Sequence, residues 1–354
     1  EALYLELAFV PTEGGVQDCV LHVETNSMNV PVADIPLKGE GVDVDHQVDV
    51  FSQLPTPKVD VLFVVDDSGS MADEQQMLKT ELPALAAVAA QWGQDYHMAV
   101  TTTDTYELAG KFKGTPSFVT TDDPPSVFAS SLIVGASGHW KEMGLEAAWM
   151  ALTGSNVATT DIACENKPNA CPNGLWCIDG FCSASNSGFL RDDADLVIVL
   201  VSDEEDSSPE SISWYVTRFA ALKAPQSGVG VKLHAIVYTL DGCLGSKWGT
   251  PGERYIQAVA AFDGYVASIC ATDFQDEFDD IGAKTFGLKD QFYPSLPPDP
   301  DTIEVRVNGV ECATGWSWNA NTSAVVFDTD GSCFPEFDST IEVEYDVICQ
   351  ISAP

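Results

Sequence analysis

Residues 58–71 read KVDVLFVVDDSGSM, and this stretch organises the rest of the chain. Val59, Val61, Leu62, Phe63, Val64 and Val65 make a near-continuous apolar run, the pattern of a strand buried on both faces of a parallel sheet. The run stops at Asp66, after which Ser68 and Ser70 follow at alternate positions around Gly69, just before a helical pattern that begins near Asp73. One carboxylate and two short hydroxyls on a tight loop are oxygen donors of the kind that Mg2+ and Ca2+ take, with room left for water or a ligand oxygen.

This D-x-S-x-S at the end of an apolar strand resembles the metal-ion-dependent adhesion site of von Willebrand factor A (vWA) and integrin I domains. The resemblance implies an α/β fold, a doubly wound and mostly parallel sheet. A second apolar run supports it: Asp195–Ser202 (DLVIVLVS) ends at Asp203-Glu204-Glu205-Asp206. In open α/β sheets, ligand sites lie beyond the carboxyl ends of strands where the strand order reverses. The vWA order makes these two strands neighbours there, so the resemblance implies that Asp203 completes a cation cage with Asp66, Ser68 and Ser70. Glu205 and Asp206 read as a solvated acidic loop.

The family's third loop brings a Thr before a helix. The corresponding stretch here, GASGHWKEMGLEAAWMAL at 135–152, has none. Either Ser137 from the loop or Glu142 from the helix fills that place. A carboxylate there makes the site more negative and better suited to Ca2+ than to a Mg2+ that borrows a carboxylate from a ligand.

Strands alternate with helices from Lys58 to about Asp290, which predicts a vWA domain over 58–290. Within it come a helix carrying Met77, Leu78, Leu82, Leu85, Ala86 and Ala89 on one face, a strand over Tyr96–Thr103 and a helix over about His139–Leu152. Further helices are expected near Ser211–Leu222, Glu253–Phe262 and Asp273–Ala283, with a strand at Val231–Tyr238. The stretches YHMAVTTTD and GFLRDDADLVIVLVSDEEDSS resemble secreted vWA proteins of proteobacteria. Residues 1–42 alternate in the β manner and resemble the second half of an immunoglobulin-like repeat of the abnormal-spindle/hydin type, a partial β domain. Residues 43–57 read as a linker, and prolines at 294, 297, 298 and 300 as a second one. Residues 301–354 read as a small β domain, with Asn308-Gly309 as a hairpin turn and Trp316 and Trp318 packed in its core.

The chain has 354 residues, enough for two or three domains, and carries 54 acidic against 16 basic residues, a formal charge of −38. Nucleic acid and anionic membranes are electrostatically excluded as partners, and cations are favoured. Of the ten cysteines, Cys164, Cys171, Cys177 and Cys182 crowd into the stretch 154–190 without a histidine or paired C-x-x-C knuckles. Disulfides in an oxidising compartment are expected over zinc. Cys243 and Cys270 are a further candidate pair, and the pairing of Cys19, Cys312, Cys333 and Cys349 stays open. The chain starts at Glu1 without a signal-like segment, so a mature or trimmed product is expected, and no run is apolar enough for a transmembrane span.

Neither a catalytic triad spacing around His46, His97, His139 or His234 nor a phosphate-cradling glycine loop is present, so an enzyme is not expected. The function expected is that of a secreted or cell-surface protein that recognises a protein ligand through a divalent cation, Ca2+ or Mg2+, in the vWA site. The alternative is a structural subunit of an extracellular assembly, in which the metal is structural and β segments pair between neighbouring subunits.

Overall fold

A computed structural model describes residues 15–24, 32–41, 46–53, 58–91, 95–164, 171, 175–178, 181–223, 229–241, 243, 249–271 and 274–348. Six strands form the central sheet: β4 (Lys58–Val65), β5 (Asp95–Thr102), β6 (Phe118–Thr120), β10 (Asp195–Ser202), β11 (Val231–Val237) and β12 (Val266–Ser268). Their order is β12-β11-β10-β4-β5-β6, all parallel except β6. The fold is α/β and doubly wound. The chain steps from β4 to β5 on one side and later returns to β10 on the other, so the strand order reverses between β4 and β10.

Both faces of the sheet are covered, which is why β4 is apolar at successive positions rather than at alternate ones. Val59, Val61, Phe63 and Val65 face one core, closed by α1 (Ala72–Gln91), α2 (Pro125–Ser131) and α6 (Gln275–Phe286) through residues such as Leu78, Phe128 and Phe278. Leu62 and Val64 face the other core, under α3 (Gly144–Leu152), α4 (Ile212–Ala220) and α5 (Glu253–Ala261), with Leu145, Tyr215 and Tyr255. Each fully buried side chain of this size contributes about 1.5–3 kcal/mol. On α1, Leu78 and Ala89 are fully buried as expected and Met77 packs against the core, while Leu82, Leu85 and Ala86 lie outside the described side chains.

Two expectations about the ends of this unit need correction. The linker predicted at 43–57 contains a strand, β3 (His46–Ser52), which pairs antiparallel with β18 (Thr340–Asp346). Asp49 faces inward from β3 and accepts hydrogen bonds from Ser295 N, Ser295 Oγ and Tyr345 OH, all at 2.7 Å, so an acidic residue that reads as linker is a half-buried anchor. Gln53 is fully buried, donating to Lys289 O and Pro335 O. The proline-rich stretch, expected as a rigid linker, is tied into the neighbouring β unit. β13 (Gln291–Phe292) precedes it and pairs with β17 (Ala324–Phe327), and Pro298 bridges to Val347.

The C-terminal β unit therefore begins before residue 301 and borrows β3. Sheet β15-β14-β18-β3, with β14 (Glu304–Val307) and β15 (Val310–Glu311), and sheet β13-β17-β16, with β16 (Trp316–Asn319), enclose Phe292, Val305, Phe327, Ile341, Val343 and Tyr345. Trp316 and Trp318 pack against this core. At the other end, β1 (Gly15–Glu24) and β2 (Val32–Gly41) form an antiparallel pair, and residues 1–14 lie outside the described residues.

The cysteine-rich insert folds as a small sheet of β7 (Thr159–Ala163), β8 (Trp176–Ile178) and β9 (Phe181–Ser183). Disulfides join Cys164 to Cys177, Cys171 to Cys182, Cys243 to Cys270 and Cys312 to Cys333. Cys19 is exposed and has no disulfide partner among the described residues, and Cys349 lies outside them. No described helix is long and apolar enough to cross a membrane.

Candidate metal centre

The site lies where the strand order reverses. Asp66 follows β4, Asp203 follows β10, and the two strands are hydrogen-bonded neighbours, as the resemblance implied. Asp66 has no solvent exposure and is held from two sides: Ser68 N donates to Oδ1 at 2.7 Å and Ser202 Oγ to Oδ2 at 2.6 Å. Ser68 Oγ and Ser70 Oγ are 3.1 Å apart, and Ser70 Oγ donates to Asp203 Oδ1 at 3.2 Å. Thus Asp66, Ser68, Ser70 and Asp203 form one chain of oxygens across the ends of the two strands. Thr250 N fixes the Asp203 backbone from outside by donating to its carbonyl at 2.8 Å.

Of the two candidates in the third loop, Glu142 enters and Ser137 does not. Ser137 is exposed, and no hydrogen bond ties its side chain to the site among the described residues. Glu142 is 1% exposed; its Oε2 accepts from Thr103 Oγ1, while its buried Oε1 has no N–H or O–H donor. It also stands within hydrogen-bonding reach of Asp66. The helix expected from His139 begins only at Gly144, because 135–143 is committed to the site as a loop. Gly138 N donates to Asp67 O at 2.8 Å, and a Cβ at Gly138 would fall 2.1 Å from Asp67 Oδ1, so any larger residue there would have to push the Asp67 side chain aside.

The electrostatics are one-sided. Burial pushes the Glu142 carboxyl well above its ordinary value, with Asp66, Glu204 and Asp67 adding repulsion. Burial does the same to Asp66 and, with Asp66 repelling it, to Asp203; Asp67 is pushed up to about 6 by burial and by Asp104 and Asp66. No cationic side chain among the described residues forms an ion pair with Asp66, Glu142 or Asp203. Buried carboxylates that repel one another need either protons or a cation. Oxygens of this kind suit a hard divalent cation: Asp66, Ser68, Ser70 and Asp203 are joined by hydrogen bonds and Glu142 stands beside Asp66, while the three carboxylates do not all come within 4.8 Å of one another. Asp66, Ser68, Ser70, Asp203 and Glu142 would hold it.

Several participants are not evident from the motif. Thr103, the last of three threonines at the end of β5, holds Glu142; the adjacency of β5 to β4 was its signal, since every strand end beside β4 opens on the same crevice. Gln75, 1% exposed, donates to Asp66 O and Gly135 O and accepts from Gly135 N, clamping two site loops together. The expectation that Glu205 and Asp206 are solvated fails. Asp206 is buried against Arg254 Nε at 3.0 Å and accepts from Leu145 N, and Glu205 accepts from Asp206 N and Arg254 N. Asp206 is buried at the start of α3, and the partly exposed Glu205 accepts at the start of α5. His97 and His234 pack inside their strands; His234 is fully buried.

No protein-family model matches the chain. No curated protein matches it either. Among solved structures it is similar to proximal thread matrix protein 1 from the mussel byssus with zinc occupied MIDAS motif, at 12% identity and TM-score 0.38 over 66% of this chain and 47% of that one. It is also similar to the ArnB paralog VWA2 from Sulfolobus acidocaldarius (11%, TM-score 0.34, 94% of this chain and 66% of that one). A third is the pilus adhesin SpaC from Lactobacillus rhamnosus GG (12%, TM-score 0.33, 92% and 44%). The chain thus spans about half the length of the mussel protein. Likenesses this remote carry no argument of their own, and the reading below rests on the site.

Proposed function

We propose that this is a vWA-type recognition protein that binds a divalent cation at Asp66, Ser68, Ser70, Asp203 and Glu142 and uses it to hold a partner outside the cell. The observation that carries the reading is the buried Glu142 beside Asp66 with an oxygen that no donor satisfies, in a crevice whose other charges are carboxylates. Four disulfides support an oxidising, extracellular setting. No catalytic role is part of this proposal. Calorimetric titration of chelator-treated protein with Ca2+ and Mg2+ tests it: saturable binding in the wild type, lost in Asp66→Ala, is the expected result. Absence of binding in the wild type would end the reading.

A second reading, a structural subunit of an extracellular assembly, draws on β3. It is the edge of its sheet, with Val48 47% and Val50 63% exposed, and an open edge of this kind accepts a further strand. Sedimentation at rising concentration separates the two, since only the subunit reading expects self-association.

A further inference from the structure

The two loops that deliver Thr103 and Glu142 to the site also carry exposed aromatic rings. Trp140 is 77% exposed and Tyr106 61%, and the His139 ring lies between them, its centroid 4.3 Å from that of Tyr106 and 5.4 Å from that of Trp140. The interplanar angles are 31° and 28°, so each outer ring is tilted moderately against His139. Hydrogen bonds fix the row: Tyr106 N donates to Asp104 Oδ1, Lys141 N to His139 Nδ1, and Gly138 N to Asp67 O. Large rings exposed to water on the loops that form a site are surface suited to a ligand rather than to the core.

The charge of the site narrows the ligand. Asp66, Asp203, Glu142, Glu204 and Asp67 crowd the crevice with carboxyl groups, and no ion pair among the described residues brings a cationic side chain to Asp66, Asp203 or Glu142. A ligand carboxylate approaching the cation would meet net repulsion in a poorly screened crevice, whereas a neutral oxygen donor would not. The partner must therefore offer uncharged oxygens to the cation and a flat apolar face to the rings. A sugar ring has both: neighbouring hydroxyls, and a face of C–H groups that packs against the electron-rich face of an indole.

We infer that the site takes a neutral glycan, with hydroxyls on the cation and a C–H face on the Trp140–His139–Tyr106 row. This deepens the cation-dependent reading above and rests on it. The test applies the full chain to a printed array of neutral, sialylated and sulfated glycans, in Ca2+ and in chelator, alongside calorimetry of Ca2+ alone. Neutral glycans are expected to bind in Ca2+ and to be lost in chelator. Trp140→Ala is expected to weaken that binding about tenfold while leaving Ca2+ affinity unchanged, with Tyr106→Ala as a second surface variant.

Four results would overturn the inference while leaving the cation reading standing: Ca2+ bound but no neutral glycan retained, preference for the acidic glycans, displacement by the tripeptide Gly-Asp-Gly, or full binding by Trp140→Ala. Glycan binding that survives chelation would remove the cation from the ligand contact. Failure to bind Ca2+ at all would sink both readings.

Discussion

Asp60 and Asp66 sit six residues apart on or just after the same strand, both with no exposure to solvent, and the protein treats them in opposite ways. At the entry to β4, Asp60 accepts from Arg191 N at 2.7 Å and Arg191 Nε at 2.8 Å, with Lys223 Nζ at 3.4 Å. Burial pushes the Asp60 carboxyl up and the Lys223 ammonium down, and the attraction between the charges pulls each back. At the exit, Asp66 receives only neutral donors and faces other carboxylates. The fold can neutralise a buried carboxylate on this strand, and it does so at the end that needs no ligand. At the other end the compensating charge is left to come from outside.

Breaking the paired end should produce the largest effect. Asp60→Ala takes the buried carboxylate from Arg191, which keeps Asp95, and from Lys223, which keeps the Arg191 carbonyl, and loss of about 3–5 kcal/mol in denaturant unfolding is expected, with cation binding per folded molecule unchanged. Next comes loading of the unpaired end. Ca2+ at a hundred times its dissociation constant should raise wild-type stability by about 2.7 kcal/mol and leave Asp66→Ala where it was. A wild-type melting temperature that ignores Ca2+ would erase the contrast between the two ends.

The third prediction concerns pH. Glu142 keeps its proton in the folded, cation-free protein to a higher pH than in the unfolded chain, where 4.5 is its ordinary value. Its contribution to stability is full below that value and is lost as pH rises through the folded one, so stability in chelator should fall from pH 5 to pH 8. Glu142→Gln should flatten that slope, and saturating Ca2+ should flatten it too; equal slopes in wild type and variant would mean that Glu142 is not the group responsible. The smallest effect belongs to Lys58 and Asp193, an ion pair at the Asp60 end with side chains 37% and 65% exposed. Lys58→Ala should cost no more than about 1 kcal/mol, and a greater loss would show that exposure does not separate the two kinds of pair at that end.

How far each end was legible follows from the range of its contacts. The apolar run of β4, the second run at 195–202 and the D-x-S-x-S between them are local patterns, so the α/β fold and the approach of Asp203 to Asp66 were readable. Glu142 was readable only as one of two candidates, since the choice depended on where α3 starts, and that is set by Tyr255 OH and Asp206 Oδ1 accepting from the Gly144 and Leu145 N–H groups of its first turn. Arg191 is far from Asp60 in sequence, and nothing local marks either as a partner. β3 was misread for a related reason: His46–Ser52 is acidic and short, and its inward Asp49 makes sense only once Ser295 and Tyr345 are placed beside it.

That strand has a mechanical consequence. In the β3–β18 ladder His46 is the register partner of Asp346, and Ser52 of Thr340, so the outer ends of both strands lie at the same edge. Tension applied across His46 and Asp346 would open the ladder like a zipper, one rung at a time, a low-force route compared with sliding all rungs at once. The chain past Ser52 enters β4 at Lys58, and the cation crevice lies at the opposite end of β4. Pulling on the molecule would spend itself on β3 and β18 before it reached Asp66.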